Sequence, residues 1–119
     1  EDITNEDVRG IGQGIRAHSA FSPAGTNVNF VQKQGEGELR VRTYERGVED
    51  ETLACGTGVV ASALLASQAG MVKPPVRVHT QGGEVLIVDF DTTNGAENFG
   101  EVFLEGLVKI VFEGTIVEI

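Results

Sequence analysis

Residues 54–66 read Ala-Cys-Gly-Thr-Gly-Val-Val-Ala-Ser-Ala-Leu-Leu-Ala, a glycine-rich turn that runs directly into an apolar segment. This pattern predicts a helix over residues 57–68, with Thr57 as a candidate N-cap and Gly70 as the residue just past its end. Apolar residues surround the predicted helix on nearly every side, which is typical of a helix buried in the centre of a domain. The only cysteine of the chain, Cys55, therefore lies at the start of a buried helix.

Short strands flank this helix on both sides. The alternation of apolar and polar residues predicts strands over residues 27–32, 38–45, 76–80, 84–90, 99–107 and 109–119. A turn at residues 35–37 joins the first two as a hairpin, and Gly82 and Gly83 join the next two. On the strand over residues 38–45, Leu39, Val41 and Thr43 share one face, and Arg40, Arg42 and Tyr44 share the other.

The N-terminal region predicts a second, outer helix over residues 5–18, capped by Thr4 or Asn5. Loops are predicted at residues 21–26, at the acidic residues 47–53 and at residues 92–100. The fold class is therefore α+β: an antiparallel, barrel-like sheet of about six to eight strands, curled around a central buried helix, plus one outer helix.

Composition limits the domain count and the classes of partner. A chain of 119 residues fits one domain, which we assign to residues 1–119. The net charge of −9, with scattered basic residues, disfavours nucleic acid and anionic membranes as partners. One cysteine makes no internal disulfide, and the acidic residues 1–8 are unlike a signal peptide, so we expect a cytoplasmic protein. The longest apolar run is too short to cross a membrane.

Cys55 has two interpretations. A free cysteine is most often a small, buried apolar residue. Here, however, Gly56 and Gly58 remove the Cβ atoms that would crowd a ligand, and a helix start offers unpaired N–H groups and the positive end of the helix dipole. These features bind carboxylates and favour a thiolate. With a carboxylate held by the N–H groups of Gly56 and Thr57, the α-carbon of an amino acid would lie near Cys55, which could then transfer an α-proton.

Polar residues upstream favour a zwitterionic ligand. Arg46 has the planar fork that clamps a carboxylate, and Glu45 beside it could pair with an ammonium group. The alternative for this pair is an ion pair at the end of a strand. Asn27 and Asn29 lie two residues apart on a strand, so both could reach the same site, although their alternative role is turn formation.

Three stretches together resemble the C-terminal half of the diaminopimelate epimerase family. They are Thr-Asn-Val-Asn-Phe-Val at residues 26–31, Arg-Thr-Tyr-Glu-Arg-Gly-Val-Glu-Asp-Glu-Thr at residues 42–52, and Ala-Cys-Gly-Thr-Gly at residues 54–58. The similarity continues through the second hairpin to Val-Phe-Leu-Glu-Gly at residues 102–106 and Val-Phe-Glu-Gly at residues 111–114. The separation of Glu-Arg-Gly from Ala-Cys-Gly is specific for this family and less expected in related proline racemase-like and phenazine-type isomerases.

The resemblance implies a cofactor-independent epimerase of lysine biosynthesis that interconverts LL- and meso-diaminopimelate. Family members have two similar domains, each with one cysteine, and need neither pyridoxal phosphate nor a metal. One cysteine, as a thiolate, removes the α-proton, and the other, as a thiol, protonates the opposite face. By position, Cys55 would be one acid/base, and the amides of Gly56 and Thr57 would hold the reacting carboxylate. The distal end of the substrate would be bound by Asn27, Glu45 and Arg46.

Two departures from the family pattern follow from the same resemblance. The N-terminal half, with its own cysteine, is not in this sequence, and neither is the Asn-Pro-His strand expected just before Glu1. We therefore interpret the chain as the C-terminal half of a two-domain enzyme, inactive alone, whose partner is the missing half or a second copy of itself. Residues 106–108 read Gly-Leu-Val where the family often has Gly-Pro-Ala, which would alter only a strand bend.

Two alternative functions remain open at this point. The chain could be a non-catalytic binding or interaction domain that keeps the fold. It could also be a cysteine hydrolase or transferase, which would need His18 or His79 within hydrogen-bond reach of Cys55. One cysteine and two histidines without close spacing do not predict a metal site.

Overall fold

The computed structural model of this protein describes residues 2–92 and 98–119. The described residues form two α-helices, α1 (Val8–Arg16) and α2 (Gly56–Gln68), with a short 3₁₀ helix (Ser19–Phe21) after α1. In the same part of the chain there are six strands: β1 (Val28–Gly35), β2 (Glu38–Glu45), β3 (Asp50–Thr52), β4 (Val76–Thr80), β5 (Val85–Phe90) and β6 (Val102–Glu105). They make one sheet in the order β1-β2-β4-β5-β6, with β3 paired to β2. The predicted α+β class is confirmed.

The sheet is mixed and open, which corrects the expectation of an antiparallel, barrel-like sheet. β2 and β4 run parallel, with Glu38 opposite Arg77, whereas the other pairs of neighbouring strands are antiparallel. The chain passes from β2 to β4 through β3 and α2, and a crossover of this length allows the second strand to return in the same direction. The described strands end at β1 on one side and β6 on the other.

α2 packs against one face of the sheet, where the main core lies. Val59 and Ala63 of α2 are buried against strand residues that include Leu39, Val78 and Val88. The opposite side of α2 is open, and Leu65 there is 64% exposed. The helix is therefore buried on one side, not all round as its apolar sequence predicted. Across residues 2–92 and 98–119, neither helix has the length and apolar character needed to cross a membrane.

α1 covers the opposite face of the sheet, as expected for the outer helix. It begins at Val8, after Asp7, whose carboxylate accepts a hydrogen bond from Gly10 N at 2.9 Å. The predicted caps, Thr4 and Asn5, are therefore wrong. Thr4, Asn5 and Asp7 all carry side chains that can accept a hydrogen bond from a following N–H group, so the sequence offers several caps within four residues and does not choose between them.

The contact between α1 and β2 depends on a glycine. Gly12 of α1 lies directly over Tyr44, and a Cβ atom at Gly12 would overlap the side chain of Tyr44. Val8 and Tyr44 are almost fully buried in this small second core. The predicted alternation along β2 is confirmed, since Leu39 and Val41 belong to the core under α2 and Tyr44 belongs to the core under α1.

The remaining differences from the predicted elements are local. The acidic loop at residues 47–53 contains the short strand β3, which pairs with the end of β2. Residues 109–119 form no strand, and side chains over residues 106–119 are exposed, with Leu107 at 100%. Of the predicted loop at residues 92–100, residues 93–97 lie outside the described part of the chain.

Candidate active site

Cys55 is the N-cap residue of α2. Its backbone is extended, with φ −136° and ψ 109°, and its carbonyl accepts a hydrogen bond from Val59 N at 2.8 Å. Thr57 is thus the second residue of the helix rather than its cap, and its Oγ1 lies 3.5 Å from the Cys55 Sγ. The N–H groups of Gly56 and Thr57 belong to the first turn, where no helical carbonyl can accept from them. The structure therefore places a thiol and two outward-facing amides at one helix start.

Asn27 ties this helix start to two other parts of the chain. Its Nδ2 lies 4.0 Å from the Cys55 Sγ, at the outer limit of a hydrogen bond to sulfur. Its Oδ1 accepts a hydrogen bond from the backbone N–H of Arg46 at 2.8 Å. One side chain thus joins the entrance of β1, the end of β2 and the start of α2. Asn27 thus contacts both Cys55 and Arg46, although its contact with Arg46 is to the backbone and not to the guanidinium.

The alternative role of Glu45 and Arg46 was an ion pair at the end of a strand. Among the described residues, no ion pair joins these two side chains. Glu45 is half-buried, and its Oε2 accepts a hydrogen bond from Thr52 Oγ1 at 3.0 Å. Arg46 is exposed, and its Nη1 donates to the carbonyl of Ala24 at 3.1 Å. Because Glu45 and Arg46 are not paired with each other, both side chains have charged atoms available to a ligand.

The acidic loop after Arg46 is held by its own contacts. Glu49 has a left-handed backbone, with φ 59°, and accepts a hydrogen bond from the N–H of Gly47 at 2.9 Å. Its carboxylate also accepts from Arg16 Nε at 2.7 Å. The hydrogen bond from Gly47, followed by that from Arg16, lowers the pKa of Glu49. The charge of Glu49 is therefore matched by Arg16, not by Arg46.

Asn29 does not reach the sulfur, which corrects the prediction that both asparagines serve one site. Its Oδ1 accepts a hydrogen bond from Thr43 Oγ1 at 2.7 Å, beneath α2. The side chain also fills the space beside Gly58, where a Cβ atom would overlap Asn29 Oδ1. Gly58 is thus required by helix packing, not by the approach of a ligand. At Gly56, by contrast, a Cβ atom would meet only the Leu104 side chain, at 3.4 Å.

The two histidines have other surroundings. The Nδ1 of His18 accepts a hydrogen bond from Ala20 N at 3.1 Å. Among the described residues, the buried Nε2 of His79 has no hydrogen-bond partner, and it lies 3.8 Å from Glu38 Oε2 across the β2–β4 pair. Among the described residues, the hydrogen-bond partners of the Cys55 sulfur are side chains of Asn27 and Thr57, and neither histidine is one of them.

Sequence reasoning missed three residues around the site. Thr52 donates a hydrogen bond to Glu45, Thr43 donates one to Asn29, and the half-exposed Leu104 side chain lies near Gly56. Only Thr43 carried a usable signal, because a hydroxyl on the inward face of a core strand needs a partner. Leu104 is distant in sequence from Gly56, and no local pattern brings the two together.

Comparison with known proteins shows the family of this chain. The sequence model of the family described as diaminopimelate epimerase matches residues 1–105. The chain belongs to the diaminopimelate epimerase family. It is 52% identical over 119 residues to the diaminopimelate epimerase of Aquifex aeolicus, covering 99% of this chain and 41% of that relative. It is 47% identical over 111 residues to the diaminopimelate epimerase of Chlorobaculum tepidum, covering 92% of this chain and 41% of that relative.

A third diaminopimelate epimerase, from Hydrogenobaculum sp., is 45% identical over 115 residues, covering 96% of this chain and 39% of the relative. The chain thus spans about two fifths of the length of the curated relatives that it matches.

Proposed function

We propose that this chain provides Cys55 as one of the two acid/base groups of a cofactor-independent diaminopimelate epimerase. The observation that carries the proposal is the position of Asn27, which holds the Arg46 backbone and lies against the Cys55 sulfur at the start of α2. Membership of the diaminopimelate epimerase family supports the substrate. The mechanism then requires neither pyridoxal phosphate nor a metal.

In this proposal the reacting carboxylate binds the N–H groups of Gly56 and Thr57. The positive end of the α2 dipole stabilises the negative charge that develops on the carboxylate as the α-proton leaves. The Cys55 Sγ takes the proton from one face of the α-carbon, and a second acid/base, supplied by another part of the protein, gives a proton to the opposite face. In the reverse direction, Cys55 as a thiol gives the proton.

The distal end of the substrate binds beside β2. The Arg46 guanidinium pairs with the distal carboxylate, for which its planar fork is suited. Glu45, with Oε2 already held by Thr52, turns Oε1 towards the distal ammonium. Asn27 closes this end of the site. A substrate with amino-acid groups at both ends matches a site with donors at the helix start and charges of both signs at the strand end.

Epimerisation should need more than this chain. We expect no inversion of diaminopimelate by the isolated chain in D₂O, and inversion once a polypeptide equivalent to the remaining length of the Aquifex relative is added. The reason is that one thiol cannot act on both faces of the α-carbon. ¹H NMR of the α-protons measures exchange, and chiral chromatography measures inversion. Inversion by the chain alone would contradict the proposal, and no reaction in either sample would favour a non-catalytic binding domain.

The partner of this chain is proposed to be the remaining part of such an enzyme, or a second copy when that part is absent. Residues 107–119 support this, because Leu107, Ile116 and the apolar residues between them are exposed to an extent that soluble surfaces rarely show. The cytoplasm, a reducing compartment, suits the single free thiol.

Self-association should follow from the same exposed segment. We expect the isolated chain to form dimers or larger species in light scattering, and a version ending at Gly106 to be more monomeric at equal concentration. The driving force is burial of apolar side chains over residues 107–119. A control version with Leu65→Gln, which removes an exposed apolar residue from α2, tests whether the effect belongs to the C-terminal segment. If the chain of residues 1–119 is monomeric, this proposal is contradicted.

A further inference from the structure

The start of α2 rests on a polar pair that no step of the proposed mechanism uses. Gly58, the third residue of α2, is buried, and its Cα faces the side chain of Asn29. A Cβ atom at Gly58 would overlap Asn29 Oδ1, and it would lie 3.2 Å from Asn29 Cγ and 3.3 Å from Thr43 Oγ1. The side chains of Asn29 and Thr43 therefore limit how closely the first turn of α2 can approach the sheet.

The pair itself cannot move easily. Asn29 and Thr43 are directly opposite each other in the β1–β2 hairpin. Thr43 is only 3% exposed, and its Oγ1 donates to Asn29 Oδ1 at 2.7 Å. The half-buried Asn29 side chain is thus held by the Thr43 hydroxyl on one side and lies against Gly58 of α2 on the other. The position of the first turn of α2 is thus set by its contact with the sheet and not by the loop before the helix.

The chain at the start of β1 also contacts the sulfur of Cys55. Side chains two residues apart on a strand point to one side, and Asn27, just before β1, contacts the Cys55 Sγ while Asn29 supports Gly58. Cys55 moves with the first turn, whereas Asn27 contacts its sulfur from the strand side, so a shift of the turn relative to β1 would change that contact and with it the orientation of the sulfur relative to the amides of Gly56 and Thr57.

We propose that Asn29 is a positioning residue that, seated between Thr43 and Gly58, sets the depth of the first turn of α2 and hence the alignment of its amides with the Cys55 sulfur. Its value for catalysis rests on the proposed function. The alternative is that Asn29 only fills space between the hairpin and α2 and that its contact with Gly58 has no consequence at Cys55.

Cys55 is the only cysteine, so its alkylation can be followed without background from other thiols. We use two reagents of similar size, iodoacetate, which carries a carboxylate, and iodoacetamide, which does not. Their rate ratio on the folded chain, divided by the ratio on the urea-unfolded chain, measures how well the first turn of α2 holds an anion beside the sulfur. Changes in overall thiol exposure affect both reagents and leave the ratio unchanged.

Gly58→Ala should lower this ratio about threefold to tenfold, the size expected when one contact between an anion and a helix start is lost. In the Asn29→Ala background, which makes room for the new methyl group, Gly58→Ala should have little further effect. Gly14→Ala is the matched control, because a Cβ atom there has nothing within 4 Å. Equal effects of Gly58→Ala in both backgrounds would overturn the proposal.

Substitutions at Thr43 test independently whether its hydrogen bond to Asn29 positions the first turn of α2. Thr43→Ser keeps the hydroxyl and should retain the ratio, whereas Thr43→Val keeps the shape, loses the donor to Asn29 and should lower it. Circular dichroism and urea midpoints check that each variant is folded. The same loss in both variants would contradict a role for the hydrogen bond.

A last measurement separates failure of this proposal from failure of the proposed function. If the unmodified chain shows no preference for iodoacetate, the carboxylate site of the proposed function is wrong. The ¹H–¹⁵N signals of Gly56 and Thr57 then still report the helix start without any ligand. They should shift in Gly58→Ala and shift much less when Gly58→Ala is added to Asn29→Ala, and equal shifts would refute the positioning role.

Discussion

Replacing Arg42 with methionine is expected to destabilise the fold by about 3–5 kcal/mol, the cost of removing one partner from a buried ion pair. Arg42 is 8% exposed, and its Nε and Nη2 donate to both carboxylate oxygens of Glu51 at 2.7 and 2.8 Å. Its Nη1 donates to the carbonyls of Ile3, Thr4 and Glu6. The hydrogen bond to Glu51 raises the pKa of Arg42, so its charge is present at every ordinary pH.

The loss in Arg42→Met has two parts. Glu51, with a side chain 20% exposed, would keep a charge without its partner. The carbonyls at residues 3–6 would lose the donor that pins the N-terminal segment to β2. Urea unfolding followed by circular dichroism measures the total, and hydrogen exchange of the amides in residues 3–6 reports the second part.

Arg9 provides the matched control. Its side chain is 74% exposed and lies 3.5 Å from Asp50, so Arg9→Met should cost no more than about 1 kcal/mol. The double substitution Arg42→Met with Glu51→Leu should be less damaging than Arg42→Met alone, because no unpaired charge remains. A similar cost for Arg42→Met and Arg9→Met would show that the Arg42 network contributes nothing beyond a surface pair.

The elements that sequence predicted well are those decided by neighbouring residues. β2 and β4 have the predicted bounds, and α2 begins one residue earlier than predicted. Their alternation, glycine turns and helical end signals are local. The direction of β4 beside β2 is not local, because a strand alternates in the same way whether its neighbour is parallel or antiparallel. The exposure of Leu65 was not predicted for a related reason. An apolar sequence indicates that a helix surface can be buried, but it does not identify the element that covers that surface.

The candidate site shows the same division. Cys55 was predicted at the reacting end of the substrate and Asn27 and Arg46 at its distal end, and in the structure Asn27 contacts both the Cys55 sulfur and the Arg46 backbone. Asn29 was assigned to the same site from a spacing of two residues, which fixes the face of a strand but not the distance to a helix start. Gly58 was interpreted as room for a ligand, and only the packing shows that the room is filled by Asn29. The spacing of residues along a strand predicts the face to which a side chain points. How close that side chain comes to a neighbouring helix is known only from the packed structure.

Replacing Cys55 with alanine should abolish the inversion of diaminopimelate by the enzyme assembled from this chain and the remainder of the protein. Alanine has no group that takes or gives a proton, and loss of one acid/base typically costs about 10²–10⁴-fold in rate. Cys55→Ser should be nearly as inactive: it keeps a side chain of similar shape beside Thr57, but its hydroxyl ionises far less readily than a thiol. Chiral chromatography of the two stereoisomers measures inversion in each direction.

The two faces of the α-carbon make this test sharper. If Cys55 serves one face and a second group the other, Cys55→Ala should stop α-proton exchange for the stereoisomer whose proton points at Cys55. Exchange for the other stereoisomer, whose proton is taken by the second group, should persist in D₂O. The Gly14→Ala variant, altered in α1 where the new Cβ atom meets nothing, should behave as the unmodified enzyme. Equal loss of exchange from both stereoisomers would mean that Cys55 supports the site as a whole, and unchanged inversion would remove it from the chemistry altogether.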